Sequence, residues 1–199
     1  AEDGEILVRG PQVMKGYYNR PDDTAQAIDP DGWFHTGDIG ELDADGFLRI
    51  TDRKKDLIVT AGGKNVAPQP IENRLKANPF VEQAVLIGDR RRFVSVLVVP
   101  AFDRLEAWAR SQGIAWADRR DLLANGVVQR HMEGEVAREL RGLASFESPK
   151  KVALLEEDFT IANGALTPTL KVKRKVIQDR FKDLVEELYR EDASVKGHR

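Results

Sequence analysis

The chain has 199 residues, which suits one domain or a small pair. With 41% apolar and 32% charged residues it has the composition of a globular protein, not a disordered one. Its 31 Lys and Arg nearly balance 33 Asp and Glu, so a net charge of −2 exerts no global pull toward nucleic acid. The lack of Cys excludes disulfides, thiolate metal sites and thiol catalysis. No stretch approaches the ~20 apolar residues of a membrane span, and the first residues have no signal-peptide pattern. A cytoplasmic home is compatible with these features. The sequence starts at Ala1, directly before an apparent strand and without an initiating Met, so it is expected to be a piece of a longer protein.

In chain order, Glu5 to Arg9 reads as a short strand bounded by Gly4 and Gly10-Pro11. Thr24 is placed to cap a short helix running to Ile28, and Asp29 to Gly32 reads as a turn. Ile39 to Leu42 and Phe47 to Ile50 flank the turn signal Asp43-Ala44-Asp45-Gly46 as two strands. These first residues hold few core positions of their own and are expected to complete the core of another segment. Asp52-Arg53-Lys54-Lys55-Asp56 then breaks the apolar pattern, as a solvated loop or a hinge between two differently patterned halves.

Beyond the charged joint the pattern changes. Leu57 to Thr60 is expected as a strand, Gly62-Gly63 as a tight loop and Pro68 to Asn78 as a helix, with Ile71 and Leu75 on one face. Ala84 to Gly88 and Phe93 to Val99 read as an antiparallel pair. Helices over Phe102 to Ser111, Asp118 to Asn125 and Val127 to Leu143 follow, then a third strand over Lys151 to Glu156. Val176 to Tyr189 reads as a final amphipathic helix with Val176, Arg180, Leu184 and Leu188 on one stripe, and the tail after Glu191 as frayed. The pattern predicts an α+β fold: a small β-sheet with helices on both faces, preceded by a short β-rich segment. The expected boundary lies at Asp52/Arg53, giving segments 1–52 and 53–199.

Four groups of residues could carry chemistry. Asp38 follows Thr36-Gly37; a carboxylate beside Gly can accept two ribose hydroxyls, or it can simply serve a turn. Arg53 is a permanent cation suited to a phosphate or ribose, or to solvent. Gly62-Gly63-Lys64 is either a tight turn or a close-approach loop, and does not have the spacing of a P-loop. Thr167 to Lys175 is a basic run leading into a helix, readable as a solvated helix start or as an anionic-ligand patch; the aromatic interleaving of a nucleic-acid site is missing. His35 reads as structural, and Trp33, Trp108 and Trp116 as packing residues. No metal-ligand spacing stands out.

The Thr36-Gly37-Asp38 element, the Asp52 to Asp56 joint, the Gly62-Gly63 loop before Pro68 and Ile71-Glu72, and Lys171 near the end occur in the order of the acyl-adenylate-forming synthetases, which the chain resembles. The variant closest to this wording is the long-chain fatty acid–CoA ligase. The resemblance covers nearly the whole chain, but only the C-terminal third or so of such an enzyme. It implies that residues 1–52 end an N-terminal AMP-binding domain and that 53–199 form the mobile C-terminal domain. It further implies that Asp38 holds the ribose of ATP or AMP, that Arg53 approaches the nucleotide and that Lys55 sits at the hinge. Gly62, Gly63 and Lys64 would line the approach of CoA, and Lys171 would serve adenylation. Many members have Gly before this Lys; here it is Leu170. ATP with Mg2+, CoA and a fatty acid are the implied ligands, and the missing N-terminal domain the implied partner, with peripheral membrane contact compatible and no nucleic acid. The fragment alone is expected to be inactive. Two other functions stay open: an adenylating enzyme that loads a carrier-protein thiol, and a non-catalytic module whose basic helix binds an anionic partner.

Overall fold

The computed structural model describes residues 1–190, and they fall into two compact units that divide between Leu57 and Ile58. This division lies a little beyond the Asp52/Arg53 boundary expected from sequence. The charged joint is still engaged with the first unit: β3 runs through Arg53, and Lys54 pairs with Asp3 and Glu5.

In the first unit, β1 (Glu5–Val8), β2 (Phe34–Leu42) and β3 (Leu48–Arg53) form an antiparallel sheet in that order, with helix α1 (Pro21–Ala27) between β1 and β2. Thr24 does not cap α1. Pro21 opens the helix, and Thr24 lies inside it, donating to the Arg20 carbonyl and accepting from the Tyr17 amide, both at 2.9 Å. Proline starts a helix without a cap because the amide it lacks would have had no partner there. The Asp29 and Asp43 carboxylates each accept two backbone amides and so close the two turns. Of the apolar residues in this unit only Ile39 is buried, whereas Leu42, Phe47, Leu48 and Ile50 on the β2–β3 hairpin are 55–71% exposed. The expectation of a segment without its own core therefore holds. The charged joint is not all loop: Asp52 and Arg53 end β3, Asp52 is buried, and only Lys54–Asp56 forms a separate 3-10 turn.

The second unit holds the core. The short pair β4 (Ile58–Val59) and β5 (Asn65–Val66) flanks the Gly62-Gly63 loop. Helix α2 (Pro68–Lys76) follows, buried along Ile71 and Leu75 as their spacing predicts. Strands β6 (Val81–Ile87), β7 (Ser95–Pro100) and β8 (Val152–Leu154) form a sheet in that order, antiparallel between β6 and β7 and parallel between β7 and β8. Every residue of β7 is buried. Because successive side chains point to opposite faces, a strand buried throughout must be covered on both. Helices α3 (Phe102–Ser111), α4 (Arg119–Ala124) and α5 (Gly126–Glu139) complete the middle of the chain. Asp118 and Asn125 cap α4 and α5, so α5 starts at Gly126, one residue before the expected Val127. His131 on α5 stacks on Trp108, 3.8 Å between ring centroids, which places that Trp in packing.

The end of the chain differs from expectation. Two helices, α6 (Arg174–Arg180) and α7 (Lys182–Arg190), meet at Phe181 where a single helix was predicted. The break rotates the buried stripe. Ile177 and Val185 are buried, Phe181, Leu184 and Leu188 pack at its margin, and Val176 and Arg180 face outward, Arg180 pairing with Glu157. The tail from Glu191 lies outside the described residues. Among the described residues, no helix is long and apolar enough to cross a membrane.

Two substitutions test this assignment of the α6 face. Ile177→Ala, at a position with 0% exposure, should lower stability in urea by about 2–5 kcal/mol. Val176→Ala, on the outward face, should stay within about 0.5 kcal/mol.

Candidate functional site

In the first unit the sheet brings Asp38 and Arg53 together. They are cross-strand partners on β2 and β3, and Arg53 Nε lies 2.7 Å from Asp38 Oδ1. Asp38 lies inside β2, not at a strand end, yet Gly37 beside it has φ +71°, and a Cβ built on Gly37 meets nothing within 4 Å. The backbone is therefore kinked and open next to the carboxylate. Arg53 engages one Asp38 oxygen, and a carboxylate has two oxygens that can accept. This arrangement fits a ribose diol.

A buried carboxylate that sequence reasoning did not single out fixes this corner. Glu5 on β1 is 4% exposed. Its Oε1 accepts the Gly37 amide at 3.0 Å; its Oε2 meets His35 Nδ1 at 3.0 Å and Lys54 Nζ at 2.9 Å. Asp3 adds a second carboxylate to Lys54 at 2.7 Å. Glu5 thus ties the residue before Asp38 to the residue after Arg53. Burial alone would raise its pKa, but the hydrogen bonds from Lys54, His35 and Gly37 outweigh burial and hold it below the usual 4.5. Lys54 likewise holds Asp3 below 3.8, and the two carboxylates raise Lys54 above 10.5. The position of Glu5 on an apolar strand was the signal available in the sequence. His35 is held in this network, in keeping with a structural role. Lys55 is exposed in the 3-10 turn that follows.

In the second unit the remaining residues sit in two separate hairpins. The Thr60 carbonyl accepts the Gly63 amide at 2.8 Å, and Thr60 Oγ1 accepts the Lys64 amide at 3.1 Å, closing a tight exposed loop. Gly63 has φ +72°, which a side chain would strain; Gly62 does not, and a Cβ on either meets nothing within 4 Å. The Lys64 ammonium lies 5.7 Å from the Phe146 ring. The β6–β7 turn braces this loop, with the Ala61 amide bonded to the Arg91 carbonyl and the Arg90 amide to the Val59 carbonyl, each at 2.8 Å.

The basic run is only partly a helix start. Thr167-Pro168-Thr169-Leu170 is a turn closed by the Leu170 amide on the Thr167 carbonyl and by the Thr167 amide on the Lys171 carbonyl. The Thr167 hydroxyl accepts the Lys171 amide at 3.0 Å. A bridge between Leu166 and Val172 continues the hairpin before α6 begins. Leu170 has φ +60° and is 68% exposed. The geometry at this position is thus the left-handed one glycine favours, adopted here by Leu. Lys171 and Lys173 are exposed, and among the described residues the Lys171 ammonium makes no ion pair. The turn presents Lys171 outward on a closed loop, which suits a cation offered to an anionic reactant. Among the described residues there is no group of three or more His, Asp and Glu that could hold a metal ion.

Two outcomes follow for these two corners. Depressed carboxylates contribute stability fully above their ordinary values near 4 and lose it as the pH falls through the lower folded values. Stability to denaturant should therefore fall as the pH drops below about 4, and Glu5→Gln should shrink that acid loss. Leu170→Gly should stabilise the chain by roughly 0.5–1 kcal/mol. It removes about 1–2 kcal/mol of left-handed strain and costs ~0.5–1 kcal/mol of added backbone freedom, which a denaturant midpoint reads.

Residues 55–117 match the family model described as AMP-binding enzyme C-terminal domain. A long-chain-fatty-acid–CoA ligase of Mycobacterium tuberculosis is 42% identical over 193 residues, covering 96% of this chain and 32% of that protein. Human long-chain-fatty-acid–CoA ligase 6 is 42% identical over 190 residues, 94% of this chain and 27% of its own length. The chain thus spans about a third of the curated relatives it matches. Among solved structures, the adenylation–carrier didomain of a carboxylic acid reductase from Segniliparus rugosus, in complex with AMP, superposes with a TM-score of 0.71 at 28% identity over 96% of this chain and 25% of that one. By these matches, and by the small sheet with its helices that they share, the chain belongs to the acyl-adenylate-forming synthetases, and its residues 55–117 match the C-terminal domain of AMP-binding enzymes.

Proposed function

We propose that this chain is the C-terminal part of an AMP-forming long-chain fatty acid–CoA ligase. The observation that carries the reading is the 42% identity to a long-chain-fatty-acid–CoA ligase across 96% of the chain. In the complete enzyme a fatty-acid carboxylate oxygen attacks the α-phosphorus of ATP, and the bond to pyrophosphate breaks. The thiol of CoA then attacks the acyl carbon, the bond to AMP breaks, and the thiol proton is released.

In this reading Asp38 takes the ribose hydroxyls, with Arg53 holding its carboxylate in place and facing the nucleotide. Lys171 meets the two anions that must approach one another during adenylation, the carboxylate and the α-phosphate. Magnesium accompanies the phosphates of ATP, and no ligand for it is assigned to this chain. Gly62 and Gly63, with Lys64 beside them, leave room for the narrow arm of CoA, and Lys55 gives the backbone pivot between the two steps. The apolar β2–β3 hairpin is covered by the rest of the N-terminal domain, and the isolated chain is inactive. The enzyme works in the cytoplasm, with any membrane contact peripheral.

One observation favours a second reading. The solved relative from Segniliparus rugosus joins its adenylation domain to a carrier domain, so a carrier-protein thiol is the competing acceptor. Product analysis of the complete enzyme, incubated with CoA and with a phosphopantetheinylated carrier, separates the two.

The roles within the chain are tested by separating the half-reactions. Lys171→Ala should slow acyl-AMP formation by ~10²–10³ while largely sparing transfer from supplied acyl-AMP to CoA. Gly62→Leu should do the reverse, because it adds bulk without the strain that Gly63 would suffer. Equal losses in both half-reactions for either variant would remove that residue from its assigned step.

A further inference from the structure

Three residues after Lys171 the chain enters the core. Lys171, Lys173 and Lys175 of the basic run are exposed, but Arg174, the first residue of α6, turns inward and its side chain is 20% exposed. Its Nη1 lies 2.6 Å from Glu72 Oε1 on α2 and 2.6 Å from the Leu86 carbonyl oxygen on β6. The same Glu72 oxygen accepts the Leu86 amide at 2.7 Å, and the Glu72 side chain is 5% exposed. One guanidinium and one carboxylate thus satisfy both backbone groups of a core-strand residue while locking α2, β6 and α6 together.

This lock bears on Lys171 through chain length. Three residues reach at most about 10–11 Å. The Lys173 amide is already bonded to the Ala165 carbonyl at 2.8 Å, and Val172 bridges Leu166. The Lys171 turn therefore has no slack between its own closing bonds and the buried anchor. A backbone so held fixes the point from which the Lys171 ammonium reaches out. A misplacement of ~1 Å of a reacting group can cost about 10²-fold in rate.

We propose that Glu72 and Arg174 are positioning residues for the adenylation step, holding the Lys171 turn against β6. The proposal rests on the role given to Lys171 above. Arg suits the task because one NH2 group of its guanidinium, Nη1, carries two protons for a carboxylate and a carbonyl at once, and the group stays charged inside the protein.

The test uses the complete enzyme with Arg174→Met, Arg174→Lys, Lys171→Ala and the Arg174→Met/Lys171→Ala pair. Acyl-AMP formation is read by pyrophosphate exchange and thioester formation from supplied acyl-AMP. Arg174→Met should lower kcat for acyl-AMP formation by about 10²-fold without a matching rise in KM for ATP, and leave most of the thioester rate. Arg174→Lys should recover part of the loss. On the Lys171→Ala background, Arg174→Met should add nothing further, because the group it positions is gone. Equal loss in both half-reactions, an unchanged adenylation rate, or a full additional loss in the double variant would overturn the proposal. If Lys171→Ala alone leaves adenylation intact, the role of Lys171 falls and the proposal falls with it. A normal defect in Lys171→Ala beside a silent Arg174→Met overturns the positioning role alone. If Arg174→Met does not accumulate folded, Glu72→Gln takes its place, since it keeps an acceptor for Leu86 and nearly the same volume; a smaller loss confined to adenylation is then expected, and equal losses in both steps would overturn the proposal.

Discussion

The second unit depends on a carboxylate placed where water cannot reach it. Glu72 stands on the buried face of α2, between Ile71 and Leu75, where an apolar side chain would ordinarily be expected. A lone charge there would be untenable, and the desolvation cost is offset only by complete pairing. Arg174 and the Leu86 amide both bond to Glu72 Oε1. Breaking such a pair by removing one partner typically costs ~3–5 kcal/mol, because the other charge is stranded. The pair therefore does more than add stability. It fixes which residue of the C-terminal basic run may point inward, and so which lysines remain outside.

The first unit repeats this device on a smaller scale. Glu5 is buried with almost no apolar core around it, and its three partners, His35, Gly37 and Lys54, come from the two segments that carry Asp38 and Arg53. In both units a buried carboxylate aligns backbone segments that present an exposed polar group. The two corners differ in support. The sheet of β6, β7 and β8 has covered faces and its own core, whereas the β2–β3 hairpin shows Leu42, Phe47, Leu48 and Ile50 to solvent. A segment so poor in buried apolar area cannot offset much conformational entropy by itself.

Much of this was legible from residues alone. The Ile71/Leu75 spacing gave α2, the β-branched runs gave β6 and β7, and the Thr-Gly-Asp and charged-joint motifs pointed to the Asp38 and Arg53 corner. What was not legible depended on long-range pairing. Nothing in the local pattern tells that Arg174 meets Glu72, more than a hundred positions apart by the chain numbering, or that Glu5 meets Lys54. The break at Phe181 was also hidden, because the apolar spacing across α6 and α7 is continuous enough to read as one helix. Leu170 shows the limit from the other side. A glycine there would have announced a left-handed turn, and Leu hides it although the turn is the same.

In the proposed function Asp38 receives the ribose, on a kinked strand with Arg53 against its carboxylate and Glu5 bonded to the preceding Gly37 amide. A crystal structure of the complete enzyme with a non-hydrolysable acyl-adenylate tests it most directly. The account predicts both ribose hydroxyls within hydrogen-bond distance of the Asp38 carboxylate, with the Arg53 contact retained. A ribose bound by other residues, with Asp38 engaged only by Arg53 and the backbone, would contradict it.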